Sequence, residues 1–525
     1  MRHMRLTLPA VLLATATLLT CALSGCGSSS SQGRGASSGN GTSGQALDWH
    51  ACPPPTALQG GGEAPQPLTD GTRWQCTTMR APADWDKPSG KTIGIEMIRA
   101  RSSGRPQQRI GSLFFNFGGP GGSGVATLPG FAPTVEKLRT RYDLVSFDPR
   151  GVGGSEGVRC LSTPSEDGPD SSPDDGKEIA TLLDLRRRQA AACESNSGGM
   201  LPYVTTTQTA RDMDLMRQLL GDDTLHYFGM SYGTELGGVY AHLFPRKVGR
   251  AVLDGVVDPT QNQRTRALGQ AAGFQRAFEH FATWCAGEGC GAGSDAKDIV
   301  RRVVDLEARL DDHPMAARDG KELTSQALVA AITGALYRHE YWPILRVSLE
   351  ATFKGDPTVM LDVAQKLGQS AGARSGDPSD DAYQAIMCAD RSDRYTLADV
   401  KSDLPEFRRA SPLFGPTMAW DSLLLCLDWP IPGAVERPRV DAPGASPVLL
   451  VGNTGDPATP YEGTAVMAKA LGAGVGVPLT FRGEGHVAYA TGNACVVSTV
   501  NTYLLDGKLP APGTVCVGDP LPEGK

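Results

Sequence analysis

A serine stands between two glycines in Gly229-Met230-Ser231-Tyr232-Gly233. The apolar stretch 225–228 before it reads as the end of a short strand. Residues 234–244 after it read as a helix that stops near Pro245. A serine on a sharp strand-to-helix turn is a nucleophile elbow. The turn is tight, so the flanking residues must be small. The helix N-terminus behind the hydroxyl supplies positive potential and free N–H groups. The five-residue pattern alone also describes an ordinary Gly-Ser turn; the strand before it and the helix after it favour a nucleophile.

A serine hydroxyl attacks only when a base takes its proton, and the base is normally a histidine oriented by a carboxylate. Where an elbow carries the serine, the chain order is Ser, acid, His. The histidines after Ser231 are His242, His280, His313, His339 and His486. His242 lies on the helix just behind the elbow and cannot fold back. His280 and His339 fall in helical patterns, and His313 precedes a proline. His486, in Arg482-Gly483-Glu484-Gly485-His486, follows the last strand-like run and is the expected base. The expected acid is Asp456, in the loop Gly452-Asn453-Thr454-Gly455-Asp456-Pro457 after another strand. Asp254 and Asp258 compete, because they follow the strand after the elbow. The oxyanion needs two N–H donors. One is Tyr232, next to the nucleophile. The other is expected from Gly118-Gly119-Pro120-Gly121-Gly122-Ser123-Gly124, where Pro120 has no N–H and Gly119 is the candidate. That loop has neither the Gly-Lys-Ser/Thr of a P-loop nor the spacing of a dinucleotide fingerprint.

The elements that must position these residues alternate. Residues 91–100 alternate Ile93, Ile95 and Met97. Ser112-Leu113-Phe114-Phe115-Asn116-Phe117 is a short apolar run, and 142–147 is another, ending in Asp148-Pro149-Arg150-Gly151. Residues 207–220 carry Ala210, Met213, Met216 and Leu220 at helical spacing. Ala251-Val252-Leu253 follows the elbow helix. Strands alternating with helices predict an α/β fold with a mostly parallel sheet covered on both faces. From 261 to 440 the texture is helical, as in 267–285, 296–310 and 325–336. Strand texture returns at 447–452 and 477–481. The expected layout is a core from 47 to 260, a helical cap insertion from 261 to 440, and the core completed from 441 to 525.

The chain has 525 residues, a formal net charge of -7 and no basic run, so nucleic acid is not an expected partner. Arg2 and Arg5 precede an apolar stretch, 6–22, too short to span a bilayer comfortably. Leu23-Ser24-Gly25-Cys26 follows, in the form of a bacterial lipobox whose cysteine would carry the lipid. A plain secretory signal that happens to contain cysteine is the alternative. The Ser/Gly-rich run to about residue 46 reads as a tether. The expectation is an exported protein, anchored at the outer face of the cell membrane through Cys26. Ten further cysteines, Cys52, Cys76, Cys160, Cys193, Cys285, Cys290, Cys388, Cys426, Cys495 and Cys516, suit disulfides, with neighbour pairing as the working expectation. No Cys/His set has zinc spacing, so no metal or cofactor is expected.

The glycine loop, Asp148-Pro149-Arg150-Gly151, Gly229-Met230-Ser231-Tyr232-Gly233-Thr234, Gly455-Asp456-Pro457 and Gly485-His486 occur in that order. As a set, over about 48–516, they resemble the secreted tripeptidyl aminopeptidases of actinobacteria, relatives of the proline iminopeptidases among the α/β-hydrolases. The resemblance implies an α/β-hydrolase fold with a helical cap, and a serine exopeptidase that releases short peptides from free N-termini. Phe117 stands where proline iminopeptidases have histidine. Such an enzyme also holds the substrate ammonium, usually with a buried carboxylate. Glu235, one turn beyond Ser231, and Asp390, beside Cys388, are the candidates. Glu235 could equally answer its helix dipole, and Asp390 could cap a helix. A carboxylesterase with the same triad and a binding lipoprotein are the alternative functions. A binder has no need of the ordered Ser231, Asp456 and His486.

Overall fold

Strands form where the apolar runs were read, and helices fill the spaces between them. The computed structural model describes residues 42–160, 170–318, 320–368, 378–435, 437–519 and 521. The targeting segment, Cys26 and most of the tether lie outside the described residues. The first half contains β1 (His50–Ala51), β2 (Gln75–Pro82), β3 (Thr92–Ala100), β4 (Gly111–Asn116), α1 (Gly124–Phe131), α2 (Glu136–Arg139), β5 (Tyr142–Phe147), α3 (Gly176–Asn196), α4 (Thr206–Leu219), β6 (Leu225–Met230), α5 (Tyr232–Leu243) and β7 (Val248–Asp254). A helical stretch follows: α6 (Gln263–Gly287), α7 (Ala296–Asp312), the small hairpin β8 (Met315–Ala316) and β9 (Glu322–Leu323), α8 (Ser325–Leu336), α9 (Trp342–Phe353), α10 (Thr358–Leu367), α11 (Pro378–Asp390), α12 (Leu397–Ala410) and α13 (Gly415–Leu423). The chain closes with β10 (Val448–Gly455), α14 (Glu462–Leu471), β11 (Gly476–Glu484), α15 (Ala494–Asp506) and β12 (Val515–Val517).

One sheet holds ten of the strands, in the order β1-β2-β3-β5-β4-β6-β7-β10-β11-β12. From β5 to β12 all neighbours are parallel; β1, β2 and β3 form an antiparallel edge. This is an α/β-hydrolase fold. Its strands alternate between two apolar layers, as a two-sided sheet requires. Phe114 and Tyr227 pack with Met213, Leu236 and Met467 of α4, α5 and α14 on one face. Leu113, Phe115 and Phe228 pack with Leu128, Leu138 and Val500 of α1, α2 and α15 on the other. Between β4 and β6 the strand order reverses. A crevice opens at the carboxyl ends of strands flanking such a point.

The inserted helices have cores of their own. Phe278, Val303, Ile332, Leu345 and Met360 join α6 to α10 in one cluster. Val400, Phe407 and Trp420 join α12 and α13 to α6 in another. Helix α3, which precedes the elbow in the chain, also packs into that second cluster through Leu182. So the helical layer draws on a segment outside 261–440. Only Leu182, Ala190 and Cys193 of α3 are buried, too sparse a stripe to mark a core helix in the sequence. The ten cysteines pair with their neighbours: Cys52 with Cys76, Cys160 with Cys193, Cys285 with Cys290, Cys388 with Cys426, and Cys495 with Cys516. No helix among the described residues is long and apolar enough to cross a membrane.

The Asp148-Pro149-Arg150-Gly151 motif is a structural brace. Asp148 accepts from Ser123 Oγ (2.6 Å) and Val125 N (3.0 Å) at the start of α1, and from Gly154 N (2.8 Å). It thereby fixes the end of the glycine loop to the exit of β5. Arg150 is fully buried. It makes a two-pronged pair with Asp212 of α4 (2.7 and 2.6 Å) and donates to the carbonyls of Pro82, Ala83 and Tyr203. Removing one member of a buried pair strands the other charge, at a cost of about 3–5 kcal/mol. Asp212→Asn is therefore expected to lower stability by about that amount in equilibrium urea unfolding without reductant. Asp184→Asn, at the exposed Arg188–Asp184 pair on α3, should change it by less than about 1 kcal/mol. Equal, small effects would show that the buried pair is not a brace.

Candidate active site

Ser231 caps the N-terminus of α5 in a backbone conformation, φ 55° and ψ -125°, that L-residues rarely adopt. Its N–H donates to Asp254 O (3.0 Å), and its carbonyl accepts from Thr234 N (2.8 Å) and Thr234 Oγ1 (2.7 Å). The elbow presses on the strand beside it. A Cβ on Gly233 would lie 2.6 Å from Asn116 O, a backbone atom that cannot yield. The glycine loop leaves β4 from that same Asn116, whose Oδ1 accepts Gly118 N–H (3.1 Å). Gly118, at φ +93°, passes so close that a Cβ there would meet Ser231 Cβ at 2.8 Å and Tyr232 N at 3.2 Å. The sequence-read donors Gly119 and Tyr232 therefore belong to two turns in contact beside Ser231. The N–H groups of Tyr232 and Gly233, at the start of α5, precede the first intrahelical acceptor.

Asp456 and His486 meet beyond the ends of the paired strands β10 and β11. Nδ1 of His486 lies 2.9 and 2.8 Å from the two Asp456 oxygens. Asp456 is buried and held by Ala458 N (2.9 Å), Thr459 N (2.8 Å) and Thr459 Oγ1 (2.9 Å). Burial alone would push the His486 imidazole down. The Asp456 charge and hydrogen bond, with Asp254 behind them, outweigh it and hold the imidazole above its ordinary value of 6.5.

The two rival acids have other work. Asp254 accepts from Ala488 N (2.9 Å) and Tyr489 N (2.7 Å), which clamps the loop after His486. Burial pushes its carboxyl up to about 7. Between His486 and that clamp, Val487 is held at φ +68°, a strained conformation for a β-branched residue. Asp258 closes an Asx turn onto Thr260 (2.8 Å).

The helical layer touches His486 directly. His486 N–H donates to Tyr337 O at the end of α8 (2.7 Å), and the Tyr337 ring meets the imidazole edge to face at 5.3 Å. Nothing local in the sequence marks Tyr337; it follows an ordinary apolar helix far from His486 in the chain. Thr459, three residues beyond Asp456, was not picked out from the sequence. Beside His486 lies a cavity of about 330 Å³ whose lining includes Phe117, Phe131, Met230, Tyr337, Tyr341 and Arg338.

Glu235 and Asp390 are both buried, and neither lines that cavity. Each Glu235 oxygen faces an arginine, Arg391 at 3.2 Å and Arg266 at 3.3 Å, so the carboxylate ties α5 to α6 and to the end of α11. Asp390 accepts Thr206 N (2.8 Å) and Thr206 Oγ1 (2.5 Å), at the start of α4 rather than of its own helix. Thr206 Oγ1 in turn lies 2.5 Å from the Tyr232 hydroxyl. Burial, with Glu235 nearby, pushes Asp390 up to about 7. Among the described residues it has no ion-pair partner within 4.0 Å. Of the possible metal-ligand groups, Cys160, Cys193 and Asp381 come together among the described residues, but the two sulfurs are in a disulfide.

The TAP-like protein family model matches residues 411–516. Serine protease Hip1 of Mycobacterium tuberculosis is 33% identical over 497 residues, covering 90% of this chain and 91% of its own. Tripeptidyl aminopeptidase of Streptomyces lividans is 31% identical over 496 residues, covering 91% of this chain and 88% of its own. Carboxylesterase B of Mycobacterium tuberculosis is 33% identical over 461 residues, covering 84% and 86%.

Proposed function

Since the chain belongs to the α/β-hydrolase family of Hip1 and the tripeptidyl aminopeptidases and is a serine hydrolase, we propose that it is a serine peptidase that cleaves short peptides from free N-termini. The carrying observation is the buried His486–Asp456 pair (2.8 Å) at the same sheet edge as the strained Ser231 elbow. In this reading Ser231 Oγ attacks the scissile carbonyl and His486 Nε2 takes its proton. The N–H groups of Tyr232 and Gly119 hold the oxyanion. His486 then gives the proton to the leaving amine, and water releases the acyl group by the same steps. Asp456 orients the imidazole and stabilises its charged form.

Of the two candidate carboxylates, Asp390 is the better one for the substrate's ammonium. Glu235 is already neutralised by two arginines, whereas Asp390 is buried without an ion-pair partner within 4.0 Å among the described residues and lies one hydroxyl away from Tyr232. The match of a carboxylesterase over most of the chain keeps ester hydrolysis as the second reading. The lipobox supports attachment to the membrane through Cys26.

Ser231→Ala and His486→Ala should each lower kcat by about 10⁴–10⁶-fold to a similar residue of activity, because the groups act as a unit. Asp456→Asn should cost about 10⁴-fold; a mild Asp456→Asn beside a severe Asp258→Asn would move the acid. Only neutral His486 accepts a proton. Its raised pKa therefore makes kcat/KM fall with decreasing pH from a point above 6.5. Stability runs the other way: the contribution of the same shift is fully present below the unfolded value of about 6.5 and is lost as pH rises through the folded value.

Free and N-acetylated forms of one tripeptide amide separate the two functional readings. Acetylation removes the charge that a buried carboxylate would pair, so kcat/KM should fall by about two to three orders of magnitude. Asp390→Asn should narrow the gap mainly by slowing the free substrate. Equal rates on both substrates would sink the exopeptidase reading and leave the serine hydrolase intact.

For the anchor, mass spectrometry of the membrane fraction should find a mature chain beginning at lipid-modified Cys26. A soluble chain starting well downstream would refute stable attachment.

A further inference from the structure

The cavity beside His486 is not used by the steps above, and its chemistry is specific. Its walls include Phe117 and Phe131 after β4, Met230 at the end of β6, Tyr337 and Tyr341 around the end of α8, and His486. The two phenylalanine rings pack edge to face at 5.3 Å. Among the described residues no carboxylate lines it, and Arg338, its one permanently charged lining group, is paired with Glu340 at 3.4 Å. A substrate ammonium placed here would lose its water and gain no partner from these walls.

We propose that this cavity receives the side chain on the leaving amine, the residue after the scissile bond, and selects large apolar side chains there. The proposal rests on Ser231 and His486 being nucleophile and base. In acylation the imidazole must hand its proton to the leaving nitrogen, so that nitrogen passes the ring that forms one wall of the cavity. The carbonyl oxygen goes to the N–H groups of Gly119 and Tyr232 in this reading. The acyl group's own amine is drawn to a carboxylate, and none lines this cavity among the described residues. The volume of about 330 Å³ is in the range of small-ligand sites and accepts an aromatic side chain.

Acyl transfer reads this site without requiring peptide cleavage. With p-nitrophenyl acetate as donor, the acetyl-enzyme forms whether or not the enzyme prefers amides. An added amino acid amide then competes with water. Its amine nitrogen attacks the ester carbonyl, His486 takes one of its protons, and Ser231 Oγ leaves and receives that proton. Product analysis by mass spectrometry on the full-length protein gives the acceptor concentration at which half the acetyl groups are transferred.

Phenylalaninamide and leucinamide should reach that point at a concentration about 10- to 100-fold lower than glycinamide. Tyr341→Ala, at the rim, and Phe131→Ala, in the wall, should each reduce the preference at least threefold, read as the ratio of transferred to hydrolysed acetyl groups, which does not depend on how fast the acetyl-enzyme forms. Two positions are used because Phe131 also packs on Phe115. Equal transfer to all three amides would overturn the proposal alone. So would a preference that tracks the length of the donor's acyl chain and is altered by the same substitutions. Absence of nitrophenol release, or release that survives Ser231→Ala, would overturn the underlying triad together with it.

Discussion

The site depends on a contact between two backbone turns. β4 and β6 lie side by side, with Asn116 opposite Gly229, and each ends in a turn that leans on the other. Gly233 rests on the Asn116 carbonyl, and Gly118 rests on Ser231. Only hydrogen side chains permit this approach. The contact sets Gly118 and the start of α5 against Ser231 before any substrate arrives, and preorganisation of that kind is what electrostatic catalysis requires. It is held against a cost. The Ser231 backbone conformation is worth about 1–3 kcal/mol of strain, opposed by hydrogen bonds to Asp254 O and Thr234.

The second half of the site is governed by charge rather than by shape. A buried imidazole resists protonation, and Asp456 reverses that preference only because the carboxylate is itself fixed by two backbone N–H groups and Thr459. Position matters as much as charge, since each contact that orients Asp456 is within 3 Å. Asp254 serves a neighbouring purpose by anchoring the strained loop through Ala488 and Tyr489. Tyr337 closes the arrangement from above. It presents the C-terminal end of α8 to His486, where a helix dipole favours positive charge. The inserted helices therefore contact His486 as well as lining the cavity beside it.

How much of this could be read from the sequence follows from how local each interaction is. The elbow, the glycine loop and the strands from β3 to β7 were legible because apolar period and glycine placement are short-range signals. Asp456 was preferred to Asp254 on strand order alone, and the hydrogen bond from His486 to Asp456 agrees with that order. Helix α3 escaped because its buried stripe is three residues in twenty-one. Tyr337 escaped because its role is a carbonyl and a ring edge delivered by tertiary packing, for which no residue type is diagnostic. Glu235 was one of two candidates for the substrate ammonium, with a role at its helix dipole as the alternative. The arginines that hold it come from α6 and the end of α11, and pairing across that distance leaves no pattern in one sequence. The targeting segment was the reverse case, plain as composition and outside the described residues.

Charge gives the proposed site a direction. On the side of Tyr232, through the Thr206 hydroxyl, lies a buried carboxylate without an ion-pair partner among the described residues. On the side of His486 lies an apolar cavity whose arginine, Arg338, is already paired with Glu340. A peptide has a positive start. One orientation sets its ammonium toward Asp390; the reverse sets it against apolar walls that offer no partner. An internal segment of a long chain brings no such charge to Asp390. An uncharged ester is indifferent to the polarity and can use the elbow, the base and the apolar cavity alone. The triad would thus be common to both reactions, and the preference for free N-termini would reside in Asp390, a residue that does not take part in bond breaking.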